Sequence, residues 1–383
     1  MTIKKKNDIG KASLALHKKL RGKVSIVPKI PVKNKKDLSL VYTPGVGAVS
    51  LYVAAHKEKL AEYTMQGNTV AVISDGSAVL GLGNIGPEGA LPVMEGKAML
   101  FKALSGIDAF PIVLATQDTE EIIRTIKNIA PVFGGINLED IAAPRCFEIE
   151  RRLQAELAIP VLHDDQHGTA LVVLSGLINA FKVVKKQPKK ARIVIAGAGA
   201  AGTAIAELLM LFGVGDVLML DSQGIIHRKR SDMSSEKRAL AQKTNKKNIV
   251  GGLDEALAGA DVFVGVSKGN TVTEEHVRSM AERAIVFALA NPVPEIMPDI
   301  AKKAGAMVVA TGRSDFANQI NNSLGFPGIF RGALDHKVRK ITDAMLIRAA
   351  KNLAAVVKKP TADCIVPNTF DKAVVPAVSK AIR

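Results

Sequence analysis

Two acidic pairs, Glu139–Asp140 and Asp164–Asp165, stand in otherwise apolar stretches ahead of a glycine-rich loop, Gly197-Ala198-Gly199-Ala200-Ala201-Gly202. The first pair lies in GGINLEDIAAPRCFEI and the second closes IPVLHDD. Carboxylates among apolar neighbours are costly to bury unless something positive meets them. Hard divalent cations take oxygen ligands of this kind. A site for Mg²⁺ or Mn²⁺ needs about three protein oxygens. Glu139, Asp140 and one of Asp164 or Asp165 would supply them. Spacing alone leaves helix N-capping equally open for both pairs. His163 and His167 flank the second pair, either as further ligands or as ordinary hydrogen-bonding residues. A metal site followed by a dinucleotide loop suggests metal-assisted redox chemistry on a small acid.

Gly197, Gly199 and Gly202 form G-x-G-x-x-G between the strand-like ARIVIAG and the helical TAIAELLMLF. The first two glycines permit a tight turn and close approach of a pyrophosphate. The third lets helix pack on strand, and the helix N-terminus faces the phosphates. Ala200 and Ala201 complete the loop. Asp221 ends the next strand, 19 residues after Gly202, where a carboxylate takes the ribose hydroxyls of NAD. It would repel the 2′-phosphate of NADP, although Arg228, Lys229 and Arg230 a few residues on keep NADP open.

The elements that must position these residues alternate between strand and helix, which predicts a doubly wound parallel sheet. Strands are expected at Thr69–Ser74, Ala109–Leu114, Gly134–Leu138, Pro160–Leu162, Ala191–Ile195, Asp216–Leu220, Val262–Val266, Ile285–Leu289 and Met307–Ala310. Helices are expected at 11–22, Val49–Gln66, Leu91–Leu104, Thr119–Ala130, Pro144–Leu157, Thr169–Val184 and Thr203–Phe212. Val24–Lys36 reads as extended, Val41–Gly47 as a loop and 228–248 as a mobile polar excursion.

The 383 residues are 48% hydrophobic and 23% charged, the balance of an ordinary globular protein. Two cysteines are too few for a disulfide framework, and a reducing cytoplasmic setting is expected. MTIKKKNDIGKA lacks the apolar core of a signal peptide. Thr169–Phe181 is the most apolar long stretch, too short for a bilayer. The net charge of +16 is scattered over clusters such as Lys4–Lys6, Lys185–Lys190 and His227–Arg230. Without interleaved aromatics these read as solvated surface, so neither a nucleic-acid nor a membrane partner is expected.

Several stretches together resemble the malic enzymes of the small-subunit prokaryotic type. They are VYTPGVG (41–47), SDGSAVLGLGNIGPEGALPVMEGKAMLFKALSGIDAFPI (74–112), GGINLEDIAAPRCFEIE (134–150), VLHDDQHGTA (161–170), IAGAGAAG (195–202), VFALANPVPEI (286–296) and TGRSDFANQINNSLGFPGIFRGAL (311–334). The resemblance covers nearly the whole chain. It implies an N-terminal substrate and metal domain over 1–160 and a Rossmann-type NAD(P)-binding domain over 161–383 with a C-terminal helical segment, the site lying in the cleft between them. It implies metal-dependent oxidative decarboxylation of L-malate to pyruvate and CO₂ with reduction of NAD or NADP, oxaloacetate decarboxylation beside it, and a homodimer.

By the same resemblance, Lys97 is the base on the C2 hydroxyl, Asp164 the acid that holds it, and Tyr42 the acid that protonates C3. Glu139, Asp140 and Asp165 are the metal ligands. Asn291 and Asn322 bind malate, Asn291 also lying by the cofactor. The larger enzymes carry an arginine for a malate carboxylate within the stretch that here reads SAVLGLG. Ala78 stands there, so that carboxylate needs another partner. The alternatives are another NAD-linked, metal-dependent oxidative decarboxylase and a non-catalytic NAD-binding regulator.

Overall fold

The computed structural model describes residues 3–79 and 81–383, with side chains from Ile9 onward. Runs of β-branched residues form two sheets. The first is wholly parallel, in the order β2-β1-β3-β4, from β1 (Thr69–Ser74), β2 (Asp108–Val113), β3 (Gly135–Leu138) and β4 (Val161–His163). The second contains β5 (Arg192–Ala196), β6 (Asp216–Asp221), β7 (Gly224–Ile225), β8 (Val262–Gly265), β9 (Ile285–Ala288) and β10 (Val308–Thr311). Its order is β10-β9-β8-β5-β6-β7, parallel except for the β6–β7 pair. The chain leaves β5 in opposite directions, to β6 on one side and β8 on the other. Ligands of open α/β sheets bind at such a switch point.

The helix Asp164–Val184 ties the two sheets together. One hydrophobic cluster runs from Val70 and Val72 of β1, through Leu171, Leu174 and Leu177, to Ile193 and Val264 of the second sheet. The helix is longer than the sequence pattern suggests. It has 21 residues, long and apolar enough to cross a bilayer, but 72% of its apolar window is buried in the protein. It begins at Asp164, so the second acidic pair forms its first turn rather than preceding it.

Other expectations change as well. Val49–Gln66 is not one helix. A helix over Val46–Ala55 ends at His56 and is followed by short turns. The excursion 228–248 contains the helix Ser235–Lys243, anchored through buried Leu240 and Ala241. The C-terminal helix Asp343–Val356 packs mainly on Asp164–Val184, while the helix Phe326–Asp335 reaches the first sheet through the helix Gly86–Ser105 and β3.

Candidate active site

The register of the first sheet brings the acidic pairs together. Leu138 of β3 lies opposite His163 of β4 in a parallel ladder. The next residues on each strand, Glu139-Asp140 and Asp164-Asp165, therefore leave the sheet side by side at its carboxyl edge. The Asp140 amide, in a residue at φ 54°, donates to Asp165 Oδ2 at 2.8 Å and fastens one pair to the other. Carboxylate oxygens of Glu139, Asp140 and Asp165 lie within 4.8 Å of one another.

Lys97 enters from the helix Gly86–Ser105, on the face that buries Met94, Ala98 and Phe101. Its Nζ lies 2.7 Å from Glu139 Oε1 and 2.6 Å from Asp164 Oδ2, and 4.2 Å from the centre of the Phe326 ring. Lys97 is 8% exposed and Asp164 is fully buried. Glu139, Asp164 and Asp165 thus bear on one ammonium, and a low-dielectric interior tolerates unbalanced charge poorly. Burial pushes Asp164 and Asp165 up to about 6 even though Lys97 opposes it, and it raises Glu139 too. For Lys97, burial disfavours the ammonium, but Asp164, Glu139 and Asp165 outweigh it and raise its pKa. Base function therefore requires the carboxylate charge to be offset. Hard oxygens and close spacing fit a divalent cation held by Glu139, Asp140 and Asp165.

Asp164 also explains a small residue one helical turn on. A Cβ on Gly168 would lie 1.7 Å from Asp164 Oδ1. That oxygen is buried without a hydrogen-bond partner among the described residues.

Neither histidine belongs to the cluster of close-set ligand atoms, although His163 Nδ1 lies 3.7 Å from Asp165 Oδ2. Burial lowers the pKa of His163, which is fully enclosed with no hydrogen bond to either ring nitrogen. His167 Nε2 lies 3.0 Å from Glu150 Oε2. Glu150 was not singled out by the sequence pattern, yet it is buried and also accepts from the His163 amide at 2.8 Å and from Gln166 at 3.2 Å. Asp75 is a second missed anchor. It accepts from Arg145 Nη2 at 2.8 Å and from Ser77 Oγ at 2.5 Å, and Ser77 Oγ in turn takes the Ala142 amide at 2.9 Å. The Ala78 amide donates to the Asp140 carbonyl at 2.9 Å. The loop after β1 thus pins the segment that carries Asp140. Asp75 directly follows a buried strand, and Glu150 sits on the inner face of the helix Arg145–Glu156, which is the only signal either gave.

The glycine loop faces the acids. Gly197 has φ 120° and lies so close to β8 that a Cβ would meet the Val266 carbonyl at 2.8 Å. A Cβ on Gly202 would lie 1.8 Å from the Gly197 carbonyl, so the helix Ala200–Phe212 can start against the strand only without one. Around Gly199 the space is open. A cleft of about 380 Å³ separates this loop from the acidic cluster, lined by Asp140, Asp165 and Ala78 on one side and by Gly199, Ala200, Ala201 and Asn291 on the other. Asn322 lines it too, while the neighbouring Asn321 caps the Ser323 amide. Among the described lining residues there is no lysine, arginine or tyrosine.

Two predicted residues stand differently from expectation. Asp221 does end β6, but its carboxylate is already engaged by the protein. It accepts from Arg230 at 2.9 and 3.1 Å, from Lys237 at 2.6 Å and from the Gln223 amide at 2.9 Å. Burial would raise Asp221, but Arg230 and Lys237 hold it down at about 2. A ribose hydroxyl would have to displace one of these donors. Tyr42 is 64% exposed, does not line the cleft, and makes no side-chain hydrogen bond among the described residues.

A dinucleotide loop at a topological switch point, facing a buried carboxylate cluster across a cleft, defines a nucleotide-linked, metal-dependent oxidoreductase. Within that class the chain belongs to the malic enzyme family. Residues 21–154 match the malic enzyme N-terminal domain and residues 166–381 the malic enzyme NAD-binding domain. The chain is 53% identical to a bifunctional malic/malolactic enzyme of Bacillus subtilis, over 97% of its own length and 91% of the relative's. It is 53% identical to an NAD-dependent malic enzyme of Geobacillus stearothermophilus, over 94% and 76% of the two chains. The crystal structure of an NAD-dependent malic enzyme from Thermotoga maritima superposes with a TM-score of 0.94 at 48% identity, covering 96% of this chain and 98% of that one.

Proposed function

We propose that the chain oxidatively decarboxylates L-malate to pyruvate and CO₂, with NAD as hydride acceptor and a divalent cation in attendance. The observation that carries this reading is the Lys97–Asp164 pair set among the cation-ready acids Glu139, Asp140 and Asp165, across one cleft from the glycine loop.

Lys97 takes the proton of the C2 hydroxyl as hydride leaves C2 for the nicotinamide. Asp164, 2.6 Å away, holds the lysine in place and relays that proton. Glu139, Asp140 and Asp165 would hold the cation, which would supply Lewis-acid chemistry to the substrate. Asn291 and Asn322 orient the carboxylates as neutral donors, which leaves the field of the cation intact. Tyr42 supplies the proton that C3 gains after CO₂ departs. Closure of the cleft excludes water while the electron-rich product of decarboxylation exists. The same groups would decarboxylate added oxaloacetate. The chain is proposed to act in the cytoplasm as a homodimer. The Arg230 and Lys237 contacts that neutralise Asp221 favour tolerance of NADP as a second acceptor.

Steady-state assays with L-malate, Mn²⁺ and either nucleotide test the proposal. NADH and pyruvate should appear in equal amounts, and a chelator should abolish both. Reduced nucleotide without pyruvate would show a simple dehydrogenase instead.

A further inference from the structure

We infer that Glu295 is a positioning residue, whose carboxylate locks the loop that carries Asn291 to the loop on the cofactor side of the cleft and so fixes C2 of malate against the nicotinamide. The inference rests on the malic enzyme reading, which names malate and NAD as the reactants.

Glu295 is fully buried, and among the described residues its carboxylate meets backbone rather than a cation. An ionised carboxylate so placed is costly unless donors converge on it. Two do. Oε1 accepts from the Ser267 amide and Oε2 from the Ala290 amide, each at 3.1 Å. Burial pushes its pKa up, and the same two amides oppose the rise.

These donors stand on different loops. Ser267 follows β8 and Ala290 follows β9, its parallel neighbour in the sheet. Val266 and Ser267 line the cleft from one loop, and Leu289, Ala290 and Asn291 line it from the other. Gly197 of the glycine loop abuts Val266, so the first loop belongs to the nucleotide's side. The second carries the amide proposed to orient malate. One carboxylate thus bridges the two halves of the reaction at the carboxyl ends of the strands, where ligands of such sheets sit.

The fold makes room for that bridge. A Cβ on Gly265, the last residue of β8, would lie 2.3 Å from Glu295 Cδ, so the strand ends without a side chain and admits the acid. Further along, the Asn270 amide donates to the Pro294 carbonyl and the Val272 amide to the Glu295 carbonyl, both at 3.0 Å. Those bonds secure the outer parts of the loops, and the carboxylate secures the parts that line the cleft.

The choice of residue follows from the donors. Glutamine presents one acceptor oxygen, and its NH₂ would face an amide that also donates. Aspartate keeps the charge but is one methylene shorter. Hydride transfer needs the reacting atoms about 3–3.5 Å apart, and a displacement of about 1 Å costs roughly 10²-fold. A tie between the two loops therefore acts on rate.

Steady-state kinetics and a deuterium isotope effect test this. Glu295→Gln keeps the size of the side chain and should fold. Its kcat per folded molecule should fall roughly 10²-fold. KM for NAD should hold, because the glycine loop that takes the pyrophosphate is untouched. With malate deuterated at C2, the isotope effect on kcat should rise, since misaligned hydride transfer becomes the slow step. A purely structural loss lowers the amount of working enzyme and leaves that ratio unchanged. Gly265→Ala, which pushes an intact carboxylate aside, should reproduce both effects. Glu295→Asp should not rescue, and full rescue would overturn the inference by showing that charge alone matters. A normal kcat in Glu295→Gln or Gly265→Ala, or a lowered kcat with an unchanged isotope effect, would overturn it as well. A wild-type chain inactive on malate would instead sink the functional proposal.

Discussion

Lys97 Nζ and Asp164 Oδ2 stand 2.6 Å apart in a buried ion pair, and the contact joins a helix of the first sheet's layer to the first turn of the helix that spans both sheets. The contact between the two layers and the proposed chemistry at C2 therefore rest on the same two side chains. Replacing Lys97 with alanine should lower malate oxidation by at least about 10²-fold, the usual scale for a lost general base. NAD affinity, read by fluorescence titration, should be unchanged. Lys97→Arg should not rescue, because a guanidinium keeps its proton. A near-normal rate in either variant would remove Lys97 from the base role.

The acid cluster should respond to metal without turnover. Mn²⁺ at a hundred times its Kd is expected to add about 2.7 kcal/mol of stability, visible as a rise in Tm that a chelator reverses. Asp165→Asn should lose that rise. In the metal-free protein the same substitution should leave Tm equal or higher, since it relieves a crowded set of carboxylates while its amide oxygen still accepts the Asp140 N–H.

Gly168→Ala offers a steric test. The added methyl would lie 1.7 Å from Asp164 Oδ1, so the carboxylate must move. A stability loss of about 1–3 kcal/mol is expected from overpacking. A larger fall should appear in kcat than in KM, because the displaced acid supports Lys97 rather than binding malate. Unchanged kinetics would show that Asp164 is free to shift.

Asp221 sets an acid limit. Its folded pKa of about 2 lies below the ordinary aspartate value near 3.9. The stability it contributes is therefore present above about pH 4 and is lost as pH falls towards about 2. Arg230→Ala should shrink that acid-induced loss in equilibrium unfolding. It should also free one side of the carboxylate for the ribose and shift the ratio of kcat/KM for NAD over NADP upward, by roughly tenfold for one charge-assisted hydrogen bond. A ratio that moves towards NADP would place the adenosine ribose elsewhere.

The strands were legible because buried parallel strands are short apolar runs with nothing else to satisfy. β1 coincides with its expected span, and the other eight expected strands fall within a residue of their places, whereas the two-residue β7 was not anticipated. The glycine loop was legible for a related reason, since each glycine answers a local steric demand. What could not be read is what depends on residues far apart in the chain. The pairing of Asp221 with Arg230 and Lys237 arises from a fold-back of a polar segment whose helix buries few side chains. Glu150 and Asp75 look like surface acids until packing encloses them. The break after Ala55 lies in the segment Ile9–Asn68, in which no described residue is buried and packing does not reward a longer helix. The spacing of the acids suggested a cation site, but their separation into ligands and a lysine partner needed the position of Lys97, which approaches from 67 residues earlier.

The alignment of Leu138 with His163 makes the active site a matter of phase. A strand advances about 3.3 Å per residue and alternates its faces. One residue inserted within Gly135–Leu138 would carry Glu139 and Asp140 past their partners and turn them to the opposite side, with every hydrophobic contact of the strand inverted. Lengthening a connection elsewhere on the first sheet leaves that phase untouched. Engineers of this chain can thus expect wide latitude in its loops and almost none in the length of two strands of four and three residues.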